Sequence, residues 1–150
     1  MGWTNDMDPA VHIRHVKERL QAGRFILADL HDHGNLTTCE IEGAQPDLEP
    51  TALLPPRADD PFFVAPNERD PDARRKIARG GAVFISDLLT MEDRRAFGWP
   101  LMLSEVRAIV EQQVLVHSGF FYGRGQSSFA GSVVNMRAAR GADPRTMILE

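Results

Sequence analysis

Seven of the chain's ten prolines fall at Pro46, Pro50, Pro55, Pro56, Pro61, Pro66 and Pro71. Proline fixes φ and carries no amide donor, so neither a regular helix nor a central strand survives that spacing. Yet the same stretch holds Leu48, Leu53, Leu54, Phe62, Phe63 and Val64, which a purely solvated linker has little reason to carry. Residues 44–73 therefore read as an extended arm that lies on something. Structureless stretches of this length inside a compact domain are usually functional loops, disordered linkers or segments ordered by a partner.

Before the arm the punctuation is helical, then β-like. Asp8 is a candidate N-cap, Pro9 suits the first helical position and Gly23 suits the residue past the end, which predicts a helix over 9–22. Val11, Ile13, Val16 and Leu20 give it one modest apolar stripe. Residues 25–30 and 36–41 are β-compatible runs on either side of His31, Asp32, His33, Gly34 and Asn35, which predicts a hairpin over 24–42. Two strands alone are marginal in water, and Ala82–Ser86, after the Gly80–Gly81 break, is the natural third.

After the arm the chain turns helical. Thr90 with Glu92 and Asp93 starts a short helix that Gly98 can end, and Trp99–Pro100 makes the next corner. Ser104 caps a longer helix through about His117, with apolar residues nearly all round, continuing to Phe120 and Phe121. A last helix runs from about Ser128 to Arg140, with Gly141 as its stop. The expectation is one α+β domain over 1–150, in which a small antiparallel sheet (hairpin 24–42 plus a strand near 82–87) packs with about four helices. A hydrophobic content of 43% with 25% charged residues suits such a domain.

Charge and cysteine usage narrow the partners. A net charge of −4 argues against nucleic acid or an anionic membrane as the main partner, and the only dense basic run, Arg74–Arg79, follows the acidic Glu68, Asp70 and Asp72. No start of positive charge leads into an apolar run, and no window approaches ~18 apolar residues, which predicts a cytoplasmic, non-spanning protein or part of a particle assembled inside the cell. Cys39 is the one cysteine and reads as a buried structural residue.

Two constellations could carry chemistry. His12, His15, His31 and His33, with Asp32, would supply N and O ligands to a divalent transition metal if the hairpin folded back on the first helix. The plainer reading is solvated helix and turn histidines. Tyr122–Ser128 is a candidate ligand loop, in which Gly123 and Gly125 allow close backbone approach, Arg124 adds charge, and Ser127 and Ser128 open a helix whose free amides favour an anion. It ends without the Gly-Lys-Ser/Thr of a Walker loop, and no strand is predicted to lead into it. His117 could in principle activate Ser127 or Ser128, though nothing in the sequence places them together.

The leading expectation is a non-catalytic interaction or assembly subunit, with protein subunits as partners in a homo- or hetero-oligomer and no cofactor. A virion or other large-assembly component is its specific form. Leu53, Leu54, Phe62, Phe63, Phe120 and Phe121 are the expected interface anchors. Arginine outnumbers lysine fifteen to two, as an interface favours, although a GC-rich genome gives the same bias. The alternative is a small metal-dependent enzyme or ligand-binding domain built on the histidines.

Overall fold

Val16, Leu20, Gly23, Leu27 and Leu30 recur at spacings of three and four, the repeat that keeps one helix face turned inward. In the computed structural model, which describes residues 9–33, 56–57, 59–66 and 70–150, that stripe lies on one helix, α1, running Pro9–Asp32. Leu27 and Leu30 are buried within it. The predicted helix over 9–22 is thus extended by ten residues, and the hairpin over 24–42 is corrected: 24–32 is helical, and 34–42, with Cys39, lies outside the described residues.

Gly23 explains the error. A glycine inside a helix costs only about 1 kcal/mol, and here it makes room for a neighbour. A Cβ built on Gly23 would stand 2.5 Å from the ring carbons of Phe120, so the residue is a notch for that ring and not a C-cap. Gly23→Ala should therefore destabilise the protein by about 1 kcal/mol, because overpacking of about 1–3 kcal/mol exceeds the helix-propensity gain. A urea midpoint that rises in this variant would contradict the seating of Phe120 against α1.

Two short β-α-β units follow α1. In the first, β1 (Phe62–Phe63) pairs in parallel with β2 (Ala82–Val83) across α2 (Pro71–Arg79), in the register Phe62↔Ala82 and Phe63↔Val83. The second pairs β3 (Phe121–Gly123) with β4 (Met147–Leu149) across α6 (Ser128–Ala139), in the register Phe121↔Met147 to Gly123↔Leu149. Parallel neighbours need a crossover, supplied by α2 in the first unit and by α6 with a short 3-10 turn (Pro144–Thr146) in the second. The expected antiparallel sheet is accordingly replaced by two parallel pairs, and the predicted strand near 82–87 gives way after Val83 to α3 (Ile85–Leu88).

The extended arm over 44–73 also needs correction where it is described. Phe62–Phe63 is a strand, and Pro71 opens α2, with the Asp70 carboxylate accepting from the amides of Asp72 and Ala73. Proline is tolerated at a first helical position because its missing N–H would be unpaired there anyway. Leu53 and Leu54 lie outside the described residues.

Between the units stand α4 (Met91–Phe97), a 3-10 turn (Trp99–Met102) and α5 (Ser104–Val116). With α1, α2, α3 and α6 these make six α-helices among the described residues, where about four were expected. α4 follows its sequence signals. Thr90 and Asp93 form a reciprocal capping box, and Gly98, at φ 61, takes the left-handed turn that ends the helix. Two apolar clusters result: Val64, Ile77, Ala82 and Phe84 in the first unit, and Val116, Phe121, Ala130 and Val133 in the second. α1 packs against both units.

Candidate functional site

The histidines are not gathered. Along the one helix α1, His15 and His31 are sixteen residues apart, or about 24 Å at 1.5 Å per residue, and His12 lies one turn before His15. His15, His31 and His33 each have a partner of their own. His15 Nε2–H donates to Glu150 Oε2 at 3.1 Å, His31 lies 3.6 Å from the Asp32 carboxylate, and His33 donates from its ring Nδ1–H (2.7 Å) and its backbone amide (3.1 Å) to Asp29 O, closing the last turn of α1. Among the described residues no group of three or more His, Cys, Asp or Glu is placed to hold a metal ion.

The glycine loop has a context that the sequence did not suggest, because a strand, β3, does lead into it. Its polar groups are largely engaged. Gly125 N–H donates to Glu150 O at 2.8 Å, Ser127 N–H to Arg124 O at 3.0 Å, and the Ser127 hydroxyl accepts from Ala130 N–H at 3.3 Å as the N-cap of α6. Ser128 is the first residue of that helix. His117 donates to Gln113 O at 2.8 Å at the end of α5, so each member of the notional Ser–His pair has its own partner.

Glu150 instead closes a clasp between α1 and the second unit. Its carboxylate accepts from His15 and from the Tyr122 hydroxyl at 3.4 Å and pairs with Arg19 at 2.5 Å. Partial removal from water opposes the ionised form, but the hydrogen bonds from His15 and Tyr122 and the charge of Arg19 together outweigh it and hold this carboxyl below its ordinary value. Burial, then the Glu150 charge, pushes the Tyr122 phenol upward. Asp93, hydrogen-bonded to Thr90, and Asp143, bonded to Arg145, are also held low.

Carboxyls lowered in the folded state contribute stability above their unfolded values and lose it as pH falls through their folded ones. Glu111, pushed upward by burial, works in the opposite sense and loses stability as pH rises through its folded value, so the acid limb is where the three lowered carboxyls act together: the urea midpoint should drop below about pH 4. Glu150→Gln should make that drop smaller. An unchanged acid limb in that variant would remove the clasp from the account.

Arg137, unremarked in the sequence, organises this half of the molecule. It is 2% exposed on α6, in the register of the buried Ala130 and Val133. Its Nη1–H groups are shared among Leu115 O (3.2 Å), Val116 O (3.3 Å), Ser118 O and Ser118 Oγ (3.2 Å), and Nη2–H donates to Gly119 O (3.2 Å) and Thr146 Oγ1 (3.1 Å). A guanidinium thus caps the carbonyl end of α5 and fixes the Ser118–Phe120 loop, which in turn seats Phe120 on α1.

That loop forms one wall of an apolar cavity of about 350 Å³. Val16, Leu20 and Leu27 of α1 form another, and Phe62 and Phe63 line it from the first unit. Four of the expected interface anchors, Phe62, Phe63, Phe120 and Phe121, are therefore brought together as lining of one pocket. Phe121 is buried in the core of the second unit.

Among the described residues, another group of exposed apolar side chains lies elsewhere. α4 and the Trp99–Met102 turn contribute no buried residue, yet Met91, Trp99 and Met102 are 67%, 73% and 84% exposed, with Leu88, Phe97 and Leu103 also exposed. Arg94 ties α4 to α3 by donating to Ser86 O at 2.7 Å, and Leu103 N–H closes the 3-10 turn by donating to Pro100 O at 3.0 Å. The shape of this corner is thus fixed while its apolar side chains face outward. Sequence reading took Trp99–Pro100 only as a bend. The signal available was the density of large apolar residues on a helix too short to bury them.

Comparison with protein-family models, with curated proteins and with solved structures returns no match. No helix among the described residues is long and apolar enough to cross a membrane.

Proposed function

We propose that this chain is a non-catalytic subunit of a protein assembly and that it associates through the α4 corner with a second copy of itself. The exposure of Met91, Trp99 and Met102 on a corner that buries nothing is the observation that carries the reading. Scattered exposed apolar residues are ordinary, whereas Trp and Met crowded on one short helix-and-turn corner have the composition of an interface core.

The charge pattern favours a second copy. Glu92 and Asp93 stand in the first turn of α4, and Arg94 and Arg95 in the last. In a two-fold pair the same patch meets itself, and antiparallel α4 helices bring the acidic end of one copy opposite the basic end of the other. Parallel stacking would set like charges together. Asp93 and Arg94 already make contacts within the chain, leaving Glu92 and Arg95 as the pair best placed to cross. The corresponding experiment is sedimentation of Trp99→Asp/Met102→Asp, in which association should be lost while the helical circular dichroism is unchanged.

A further inference from the structure

The cavity between α1, β1 and the Ser118–Phe120 loop is a different place from the α4 corner and has a different chemistry. It is a pocket partly open to solvent, of about 350 Å³, between two separate apolar clusters. At about 30 Å³ per water it would take about a dozen, but its walls are aliphatic and aromatic, and waters need two to four polar partners each. Cavities of this size and lining suit a small apolar molecule.

The polar groups at its edge select the head of that molecule. Arg24 and Asp60 line both the cavity and the adjoining groove beside Lys17 and Gly81, so they stand where the two spaces meet. One is a cation and the other an anion. A carboxylate ligand would be attracted by Arg24 and repelled by Asp60, and an amine the reverse. A hydroxyl suits both, because its oxygen accepts from the guanidinium while its proton is donated to the carboxylate. Arg24 already has a partner within the chain, and five N–H donors leave it capacity for another oxygen. Asp60 Oδ2 accepts from Arg57 N–H at 2.6 Å, which keeps a second carboxylate oxygen for the ligand.

We infer that the cavity is a binding site for an uncharged amphiphile of about ten to fifteen non-hydrogen atoms, a medium-chain alcohol or phenol, with its apolar body among Phe62, Phe63, Phe120 and Leu27 and its hydroxyl between Arg24 and Asp60. No bond is made or broken.

The test uses the whole chain with the neutral fluorophore N-phenyl-1-naphthylamine as probe, displaced by 1-decanol, decanoate or decylamine below their micellar concentrations. The expected result is saturable probe binding, with decanol competing at least tenfold better than either charged homologue. Ala65→Phe, which fills the cavity from the β1 side, and Gly119→Val, which places its Cβ against Leu27, should each weaken probe binding at least tenfold. If one variant fails to fold, as judged by circular dichroism, the other decides. Asp60→Asn should bring decanoate level with decanol or ahead of it. No saturable binding by the wild type, as when another chain segment or a second copy occupies the space, would overturn the proposal. So would probe binding that survives in the folded cavity variants, or equal competition by the three homologues.

Discussion

Replacing Arg137 by methionine is expected to lower the stability of the chain by about 3–5 kcal/mol, or about 10 °C in melting temperature. The sign needs an argument, because a buried charge replaced by a well-packed apolar side chain is often harmless when its partners are replaced with it. Here most of the partners are the backbone carbonyls of Leu115, Val116, Ser118 and Gly119, which no side-chain substitution can remove. Leu115 O keeps the Ser118 hydroxyl (2.7 Å) and amide (3.4 Å), but the carbonyls of Val116, Ser118 and Gly119 lose the guanidinium, and a buried acceptor left unmade costs about 1–3 kcal/mol. Methionine keeps much of the apolar stem, so the loss reports the guanidinium and not a cavity.

Arg137→Lys should recover less than half of the loss, since one ammonium cannot reach both the α5 carbonyls and Thr146 as the planar fork does. Arg145→Met is the control. Its pairs with Asp29 and Asp143 are exposed, and pairs of that kind contribute at most about 1 kcal/mol. Urea denaturation of the three variants separates these outcomes, and an Arg137→Met midpoint near that of the wild type would contradict the capping role.

The second large effect is on association. Aspartate at both Trp99 and Met102 removes two central apolar anchors and places two unpaired carboxylates in the buried face of the pair. Truncating a single hot-spot Trp costs about 2 kcal/mol or more, and a desolvated charge adds to that. A weakening of at least about a hundredfold is expected, at about 1.4 kcal/mol per tenfold. Because both side chains face outward in the single copy, the folded monomer should keep its urea midpoint. A reversed-charge pair gives a finer test: Glu92→Arg alone should weaken association, and adding Arg95→Glu should restore part of it.

Local signals were legible where a short stretch of chain decides the outcome. Thr90, Asp93 and Gly98 announced α4 because capping groups and a left-handed stop act within one turn. Ser127 and Gly141 bounded α6 for the same reason. Where a partner distant in sequence decides, the reading failed. Gly23 looked like a stop because nothing nearby shows that Phe120, almost a hundred residues on, needs the space. Phe121–Gly123 and Met147–Leu149 are too short to declare themselves as strands, and their pairing depends on the crossover through α6.

Two missed features had signals in the sequence. Val16, Leu20, Gly23, Leu27 and Leu30 keep one helical stripe across the supposed turn, and Arg137 falls seven residues after the buried Ala130 on the apolar side of α6. The candidate surfaces were only partly legible. The aromatic anchors Phe62, Phe63 and Phe120 were singled out, but hydrophobicity alone does not tell a cavity wall from an outer face. The histidine cluster depended on a fold-back that a continuous α1 does not make.

The central claim is that the α4 corner pairs with a second copy, and the most direct measurement is the native mass of the untagged chain by light scattering across a dilution series. The expected result is a species of twice the 16.7 kDa chain mass that dissociates on dilution and is lost in Trp99→Asp/Met102→Asp. A wild-type chain that stays at 16.7 kDa at the highest concentration, or a dimer that the double substitution leaves intact, would contradict it.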